Sequence, residues 1–243
     1  MHYRKKTGLS TTSFSSLRNL ADVSWNFLLD IFFPKKCLLC KKEGAFFCAS
    51  CRIKMPVDTN PLANRTFSLW RYDDETVRKA LWELKYRGRR GIARELAESL
   101  YDKILETLSE NEVFENPARN HEHSEQYLLV PIPIHKKRRR ERGYNQSELL
   151  AKELEKLNPS LFCLETKLLF KTKATPSQVS VKDREKRLKN IKNSFSVEHQ
   201  EKAAGKNIII LDDITTTGAT LAEAKRLLAK AGAKTVWCVT IAH

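Results

Sequence analysis

Apolar and polar positions follow two different rhythms along the chain, and the switches between them mark its elements. From Leu17, residues Leu20, Ala21, Ser24, Leu28 and Ile31 form a helix-like stripe, joined by Trp25, Phe27, Phe32 and Phe33 and ended by Pro34. It reads either as an anchor onto the main body or as a partner-facing surface, behind a loose Ser/Thr-rich tail at 1–16. After a polar connection around 56–66, Phe67-Ser68-Leu69-Trp70-Arg71-Tyr72 reads as a strand. Val77, Ala80, Leu81 and Leu84 then mark one helix face, and Ile92, Leu96, Leu100, Ile104 and Leu108 a second. Residues 109–126 are polar and predict an exposed loop, His121 and His123 included.

The second half carries the stronger strands. Tyr127-Leu128-Leu129-Val130-Pro131-Ile132-Pro133-Ile134 is nearly continuous in apolar character and runs straight into a basic segment, where six of the seven residues from 136 to 142 are Lys or Arg. Leu150, Leu154 and Leu157 continue as a helix, and short strands are expected at 168–170 and 195–197, separated by a Lys/Arg/Ser/Thr-rich loop. Ile208-Ile209-Ile210-Leu211 suits a strand buried on both faces; Asp212 and Asp213 follow, then Thr215-Thr216-Thr217-Gly218-Ala219-Thr220, a helix at 219–231 and a last strand at 235–241. Strands alternating with helices in this order predict a mostly parallel sheet wrapped by helices.

Composition adds three constraints. At 243 residues and 41% hydrophobic, the chain can bury one good-sized core and a small appendage. The net charge of +15 points to polyanionic partners, either nucleic acid or a multiply phosphorylated substrate. No apolar run approaches the roughly 18 to 20 residues that span a bilayer, and Arg18, Asp22 and Asp30 interrupt the N-terminal stripe, so a cytoplasmic protein is expected, with cysteines that are thiols or metal ligands.

Cys37-Leu38-Leu39-Cys40 and Cys48-Ala49-Ser50-Cys51 are two C-x2-C pairs seven residues apart, the spacing of a tetrahedral Zn²⁺ site. Four thiolates leave no open position for a catalytic water, so the metal is expected to be structural and to supply much of the folding free energy of so short a segment. Cys163 and Cys238 stand alone and read as core residues.

The segment 208–220 carries the chemistry. Free N–H groups at a helix start favour an anion, the threonine hydroxyls add donors, and Gly218 lets the main chain approach a ligand closely. Asp212 and Asp213 would repel a phosphate, so their expected work is to accept hydrogen bonds from sugar hydroxyls or to help hold a hydrated Mg²⁺. These thirteen residues resemble the 5-phosphoribosyl-1-pyrophosphate (PRPP) motif of type I phosphoribosyltransferases. The resemblance implies that Asp212 and Asp213, the catalytic candidates, face the ribose hydroxyls, and that Thr215, Thr216, Thr217, Gly218, Ala219 and Thr220 hold the 5-phosphate.

From about residue 30 to 243 the chain also resembles the ComF family, phosphoribosyltransferase-like proteins with an N-terminal zinc ribbon. The resemblance rests on Phe33-Pro34 before Cys37, Cys40, Cys48 and Cys51; on Lys85-Tyr86-Arg87-Gly88; on Val130-Pro131-Ile132-Pro133 leading to Arg142-Gly143-Tyr144-Asn145-Gln146; on Gln178, Arg187 and Asn190; and on 208–220. It implies a type I phosphoribosyltransferase-like α/β fold at 57–243 and a zinc ribbon at 35–56; the tail and amphipathic helix at 1–34 rest on the apolar pattern alone. Similarity to type I enzymes further implies a pyrophosphate loop at 131–138 and a mobile lid at 171–190, drawing on Pro133, His135, Lys136, Arg142 and Arg187, with Mg²⁺ accompanying PRPP. The function the ComF resemblance implies is natural competence: handling of incoming single-stranded DNA beside a helicase-like partner.

Three readings follow. One is a Mg²⁺-dependent phosphoribosyl transfer from PRPP. Another is a non-catalytic DNA-binding adaptor that retains the phosphate pocket, with Trp82, Tyr86 and Tyr144 as stacking candidates. A third makes the zinc ribbon, ringed by Lys35, Lys36, Lys41, Lys42 and Arg52, the reader of nucleic acid or a docking surface for a protein.

Overall fold

The computed structural model describes residues 34–59, 62–87, 89–115, 126–172, 191 and 193–243. The N-terminal stripe, His121, His123, Gly88, Gln178, Arg187, Asn190 and most of the expected lid lie outside the described residues.

Strands β1 (Thr66–Trp70), β2 (Tyr127–Pro131), β3 (Phe162–Leu164), β6 (Asn207–Ile214) and β7 (Thr235–Ala242) form one sheet in the order β1-β7-β6-β2-β3, with every pairing parallel. Strands β4 (Leu169–Lys171) and β5 (Phe195–Val197) pair antiparallel in a separate ribbon. The helices are α1 (Ala49–Arg52), α2 (Glu75–Tyr86), α3 (Ile92–Glu115), α4 (Lys136–Arg142), α5 (Gln146–Leu157) and α6 (Ala219–Lys230).

The alternation within each strand explains why both faces must be covered. Leu129, Ile209, Leu211, Trp237, Val239 and Ile241 point into one core with α2, α3 and α5; Val130, Ile208, Ile210, Val236 and Cys238 point into the other, under α6 and the β4–β5 ribbon. A parallel sheet with no solvated face needs this two-sided cover, and the unbroken apolar run of β6 is its sequence trace. Between β1 and β7 a polar pair is enclosed: Ser68 Oγ and Thr240 Oγ1 share a hydrogen bond of 2.6 Å, and both residues are buried.

The knuckle packs onto the first of these cores. Phe47 is fully buried and meets Trp70 edge-to-face at 5.4 Å, with Cys37, Leu38, Cys51 and Met55 around it. Glu95 of α3 fixes it from below, accepting hydrogen bonds from the amides of Phe46 at 3.0 Å and Phe47 at 2.6 Å. Arg52 of α1 completes the joint, donating to the Glu95 carbonyl and pairing with Glu98 at 2.8 Å.

Four local expectations change. Helix α3 runs on to Glu115, where polarity alone predicted a loop from 109, because a helix anchored as far as Leu108 propagates by one backbone hydrogen bond per added residue. Strand β3 was not expected at all: three residues beside β2 give no period of their own, and Cys163 on it is only partly buried. The basic run 136–142 is helical, capped by His135 Nδ1, which accepts from the Lys137 amide at 3.3 Å, and closed by Gly143 at φ +76°. Tyr144 is buried, its hydroxyl donating to the Leu84 carbonyl, so it is no stacking surface.

Candidate phosphoribosyl site and metal centre

Crossovers leave β2 and β6 in opposite directions: β2 leads outward to β3, and β6 leads the other way to β7. The carboxyl ends of these two adjacent strands therefore frame the topological switch point, where open α/β sheets take their ligands. Pro131 is in register with Leu211 there, so the segment 132–135 leaves the sheet beside Asp212 and Asp213, which β6 carries onward in its pairing with β7.

The two acids are held by different partners. Asp212 Oδ1 accepts from Ser147 Oγ at 3.0 Å and from the Asp213 amide at 2.9 Å. Asp213 Oδ1 accepts from the Ile214 amide at 2.9 Å, while its Oδ2 meets Lys85 Nζ at 2.6 Å, both side chains being largely enclosed. Burial first, and then the neighbouring Asp213 carboxylate, push the Asp212 carboxyl up to about 7. Burial works to lower Lys85, yet the Asp213 and Asp212 carboxylates outweigh it and hold the ammonium above the usual lysine value. Lys85 lies in the last turn of α2, whose start Asp74 caps by accepting from the amides of Thr76 at 2.8 Å and Val77 at 3.0 Å.

Beyond the acids, Thr215 belongs to the strand end rather than to the open turn: it is buried and its amide donates to the Ala242 carbonyl at 3.0 Å. Thr216 is exposed and Thr217 half-buried; Thr217 Oγ1 faces the Ala219 amide at 3.5 Å. Gly218 sits at φ +70° and opens α6, and among the described residues nothing beyond its chain neighbours lies within 4 Å of where a Cβ would stand. At that glycine the turn is open among the described residues, and a twelve-residue helix starts beside that space. Thr220 and Ala219 lie on the first turn of α6.

Across the crevice, Asn145 donates from Nδ2 to the Ile132 carbonyl at 3.0 Å and caps α5 through the Ser147 amide at 3.2 Å. That one side chain ties the segment after β2 to the helix that supplies Ser147. Pro133 and His135 are half-buried, Lys136 is exposed, and Arg142 is half-buried with Nη1 3.3 Å from Gln146 Oε1. Lys171, at the end of β4, joins the same electrostatic neighbourhood. Its ammonium is held below the usual lysine value by burial and then by Arg138, with Asp212 opposing, and it lies 5.2 Å from the Phe195 ring centroid. The sequence assigns no role to Lys85 or Ser147, whereas Lys171 opens the 171–190 segment expected as the lid and is instead the last residue of β4. Lys85 stands inside a quoted motif; nothing local marks Ser147.

The thiols of Cys37, Cys40, Cys48 and Cys51 all lie within 4.8 Å of one another, with Cys40 and Cys48 Sγ 3.6 Å apart. A tetrahedron of thiolates about 2.3 Å from a Zn²⁺ has edges of about 3.8 Å, so the four residues fit that ion. Burial raises the Cys37 thiol, but hydrogen bonds from the backbone of Cys48, Cys40 and Leu39 outweigh it and bring it down to about 6. Burial and its three neighbouring thiols push Cys51 up to about 12.

No helix among the described residues is long and apolar enough to cross a membrane. Residues 164–243 match the phosphoribosyl transferase domain family. The chain is 36% identical over 114 residues to DNA utilization protein YhgH of Escherichia coli O157:H7, covering 46% of this chain and 48% of that protein. It is 39% identical over 109 residues to competence protein ComFC of Bacillus subtilis, covering 44% of this chain and 40% of that one. The chain thus spans about half the length of the curated relatives it matches. Among solved structures it is similar to a hypoxanthine phosphoribosyltransferase of Trypanosoma cruzi at 12% identity and a TM-score of 0.36, covering 62% of this chain and 63% of that one. The C-terminal third of the chain thus matches the phosphoribosyl transferase domain family, and the chain's likeness to YhgH and ComFC agrees with the ComF-family resemblance of the sequence.

Proposed function

We propose that the crevice between β2 and β6 binds PRPP and transfers its phosphoribosyl group, and that the chain serves in the handling of incoming single-stranded DNA during competence. The observation that carries the first half is the pairing of two tethered carboxylates with a helix start, open at Gly218 among the described residues, five to six residues after Asp213. In this reading Asp212 and Asp213 accept from the ribose 2- and 3-hydroxyls and fix the sugar. Thr216, Thr217 and the first amides of α6 hold the 5-phosphate, with Thr215 closing the floor. Pro133, His135, Lys136 and Arg142 flank the pyrophosphate, where positive charge stabilises the leaving group as the C1–O bond opens. Mg²⁺ would neutralise the pyrophosphate oxygens when bound with PRPP. The YhgH and ComFC names support the second half, and the +15 charge suits a polyanion. A helicase-like protein and a cytoplasmic setting complete the proposal, and a zinc ion in the four-cysteine knuckle keeps that unit folded.

Calorimetry with PRPP and Mg²⁺ tests the pocket. Binding is expected in the wild-type chain and is lost in Asp212→Ala combined with Asp213→Ala, with circular dichroism confirming that the variant folds. A wild-type chain that takes up no PRPP ends the reading. The Lys85–Asp213 ion pair favours a second one, an adaptor whose pocket binds without turnover, because the ammonium already occupies one carboxylate oxygen. Release of pyrophosphate in the presence of single-stranded DNA separates the two.

A further inference from the structure

We infer that the exposed face of α2 is a stacking track for the bases of a single-stranded nucleic acid, running from the cysteine knuckle to the rim of the phosphoribosyl crevice. The inference rests on the single-strand half of the proposed function and is independent of the phosphoribosyl chemistry.

Lys79, Trp82 and Tyr86 fall on one stripe of α2, opposite the buried Val77, Ala80, Leu81 and Leu84, while Glu83 beside them is itself buried. The helix is therefore in its proper register, and yet its outer stripe holds two large aromatic rings. Trp82 is 45% and Tyr86 59% exposed, and among the described residues no side chain takes either into the core. Their ring centroids lie 6.0 Å apart at a tilt of 45°. A guanidinium rests against each ring: Arg87 at 5.1 Å from the Trp82 centroid and Arg142 at 5.2 Å from that of Tyr86. Arg142 also approaches the Tyr86 hydroxyl at 3.4 Å.

The two ends of the stripe extend the argument. Beyond Tyr86, the buried Gln146 accepts from Arg142 through Oε1 at 3.3 Å and so holds that guanidinium at the rim of the crevice. Toward the knuckle, Lys79 lines a hollow of about 760 Å³ with Lys36, Lys41, Phe46 and Arg89. Its single carboxylate, that of Glu83, is already paired with Arg89 at 3.3 Å.

Exposed rings framed by cations distinguish the possible occupants. A protein partner would favour a broader apolar surface with fewer charges at its centre. A duplex keeps its bases stacked inside and offers no ring face. A single strand supplies both halves of the match, phosphates for the lysines and arginines and an open π-face at every base.

Fluorescence anisotropy with the full chain and a labelled oligothymidine of about twenty nucleotides provides the test. Trp82→Ala and Tyr86→Ala are each expected to weaken binding roughly 5- to 150-fold, the range for loss of one base–aromatic stack, and Trp82→Phe to recover most of the loss. The log–log salt slope should stay unchanged in both alanine variants but become less steep by about 0.7 in Arg87→Gln, since only the arginine releases a counterion. An abasic strand should bind wild type and Trp82→Ala alike; an oligouridine arm shows whether RNA is taken as readily. If the wild-type chain binds the oligothymidine and the alanine variants bind equally well, the track is refuted while the single-strand reading stands. If the wild-type chain binds no single strand, both fall.

Discussion

Replacing Lys85 by methionine removes the cation that faces the acid pair while keeping the length of its stem. The structure sets the magnitude. Lys85 Nζ is 2.6 Å from Asp213 Oδ2, and the two side chains are 19% and 12% exposed, so the pair is mostly withdrawn from water. Removing one partner of a buried pair costs about 3 to 5 kcal/mol, chiefly because the other charge is left uncompensated. Residual exposure of both groups places this case at the lower end, about 3 kcal/mol, or roughly 6 to 12 °C in Tm for a chain of this size. The assay is a double-mutant cycle by urea or thermal unfolding: Lys85→Met, Asp213→Asn, and both together. If the ion pair is the cause, Lys85→Met costs little once Asp213→Asn is already in place, and the coupling is about 2 kcal/mol or more. Equal destabilisation in both backgrounds would refute the reasoning and make Lys85 a packing residue of α2. The same cycle read by PRPP calorimetry then tells whether the ammonium guards the carboxylate or competes with the ribose for it.

Three further outcomes follow from the geometry. Metal analysis should find one zinc per chain, lost in Cys48→Ser, and strong chelation should lower Tm and expose Phe47; a full-length chain that is metal-free and equally stable would contradict the fit of the four thiols. Because the folded state raises Asp212 to about 7, it binds that proton more tightly than the unfolded chain does. The associated stability is complete below the ordinary aspartate range and is lost as pH rises toward and through 7. Asp212→Asn removes the ionisation, so its Tm relative to wild type should rise between pH 5 and pH 8, and a pH-independent difference would sink the argument. Gly218→Val should cost about 1 to 2 kcal/mol through the left-handed backbone at φ +70°, without any steric clash inside the protein. Since its side chain would fill the space before α6, PRPP affinity should fall at least tenfold, and unchanged affinity would move the phosphate elsewhere.

What could be read from the residues depended on whether the cause was local. The run Ile208–Leu211 declares a strand buried on both sides because each of its residues alone demands burial, and the two C-x2-C pairs declare a tetrahedral site because tight turns set their spacing. Gly218 likewise announces a turn by its own freedom at positive φ. Strand β3, in contrast, exists because β2 offers it an edge, and three residues carry no period. Ser147 reaches Asp212 only because Asn145 pins α5 to the segment after β2, a contact across 65 residues for the serine and 13 for the asparagine. The exposure of Trp82 and Tyr86 and the burial of Tyr144 were equally unreadable, since all three sit among basic residues and only packing distinguishes them.

The place of β7 has a consequence for how the molecule is assembled. It lies between β6 and β1, and the Ser68–Thr240 hydroxyl pair that seals it against β1 joins positions 172 apart. Closing so long a loop is entropically expensive, and contacts of this span tend to form late. On the ribosome the cysteine knuckle and β1 emerge well before β7, the neighbour that completes their side of the sheet. Until then Trp70 and Phe67 present a bare strand edge, and synthesis of β7 is what retires that aggregation hazard.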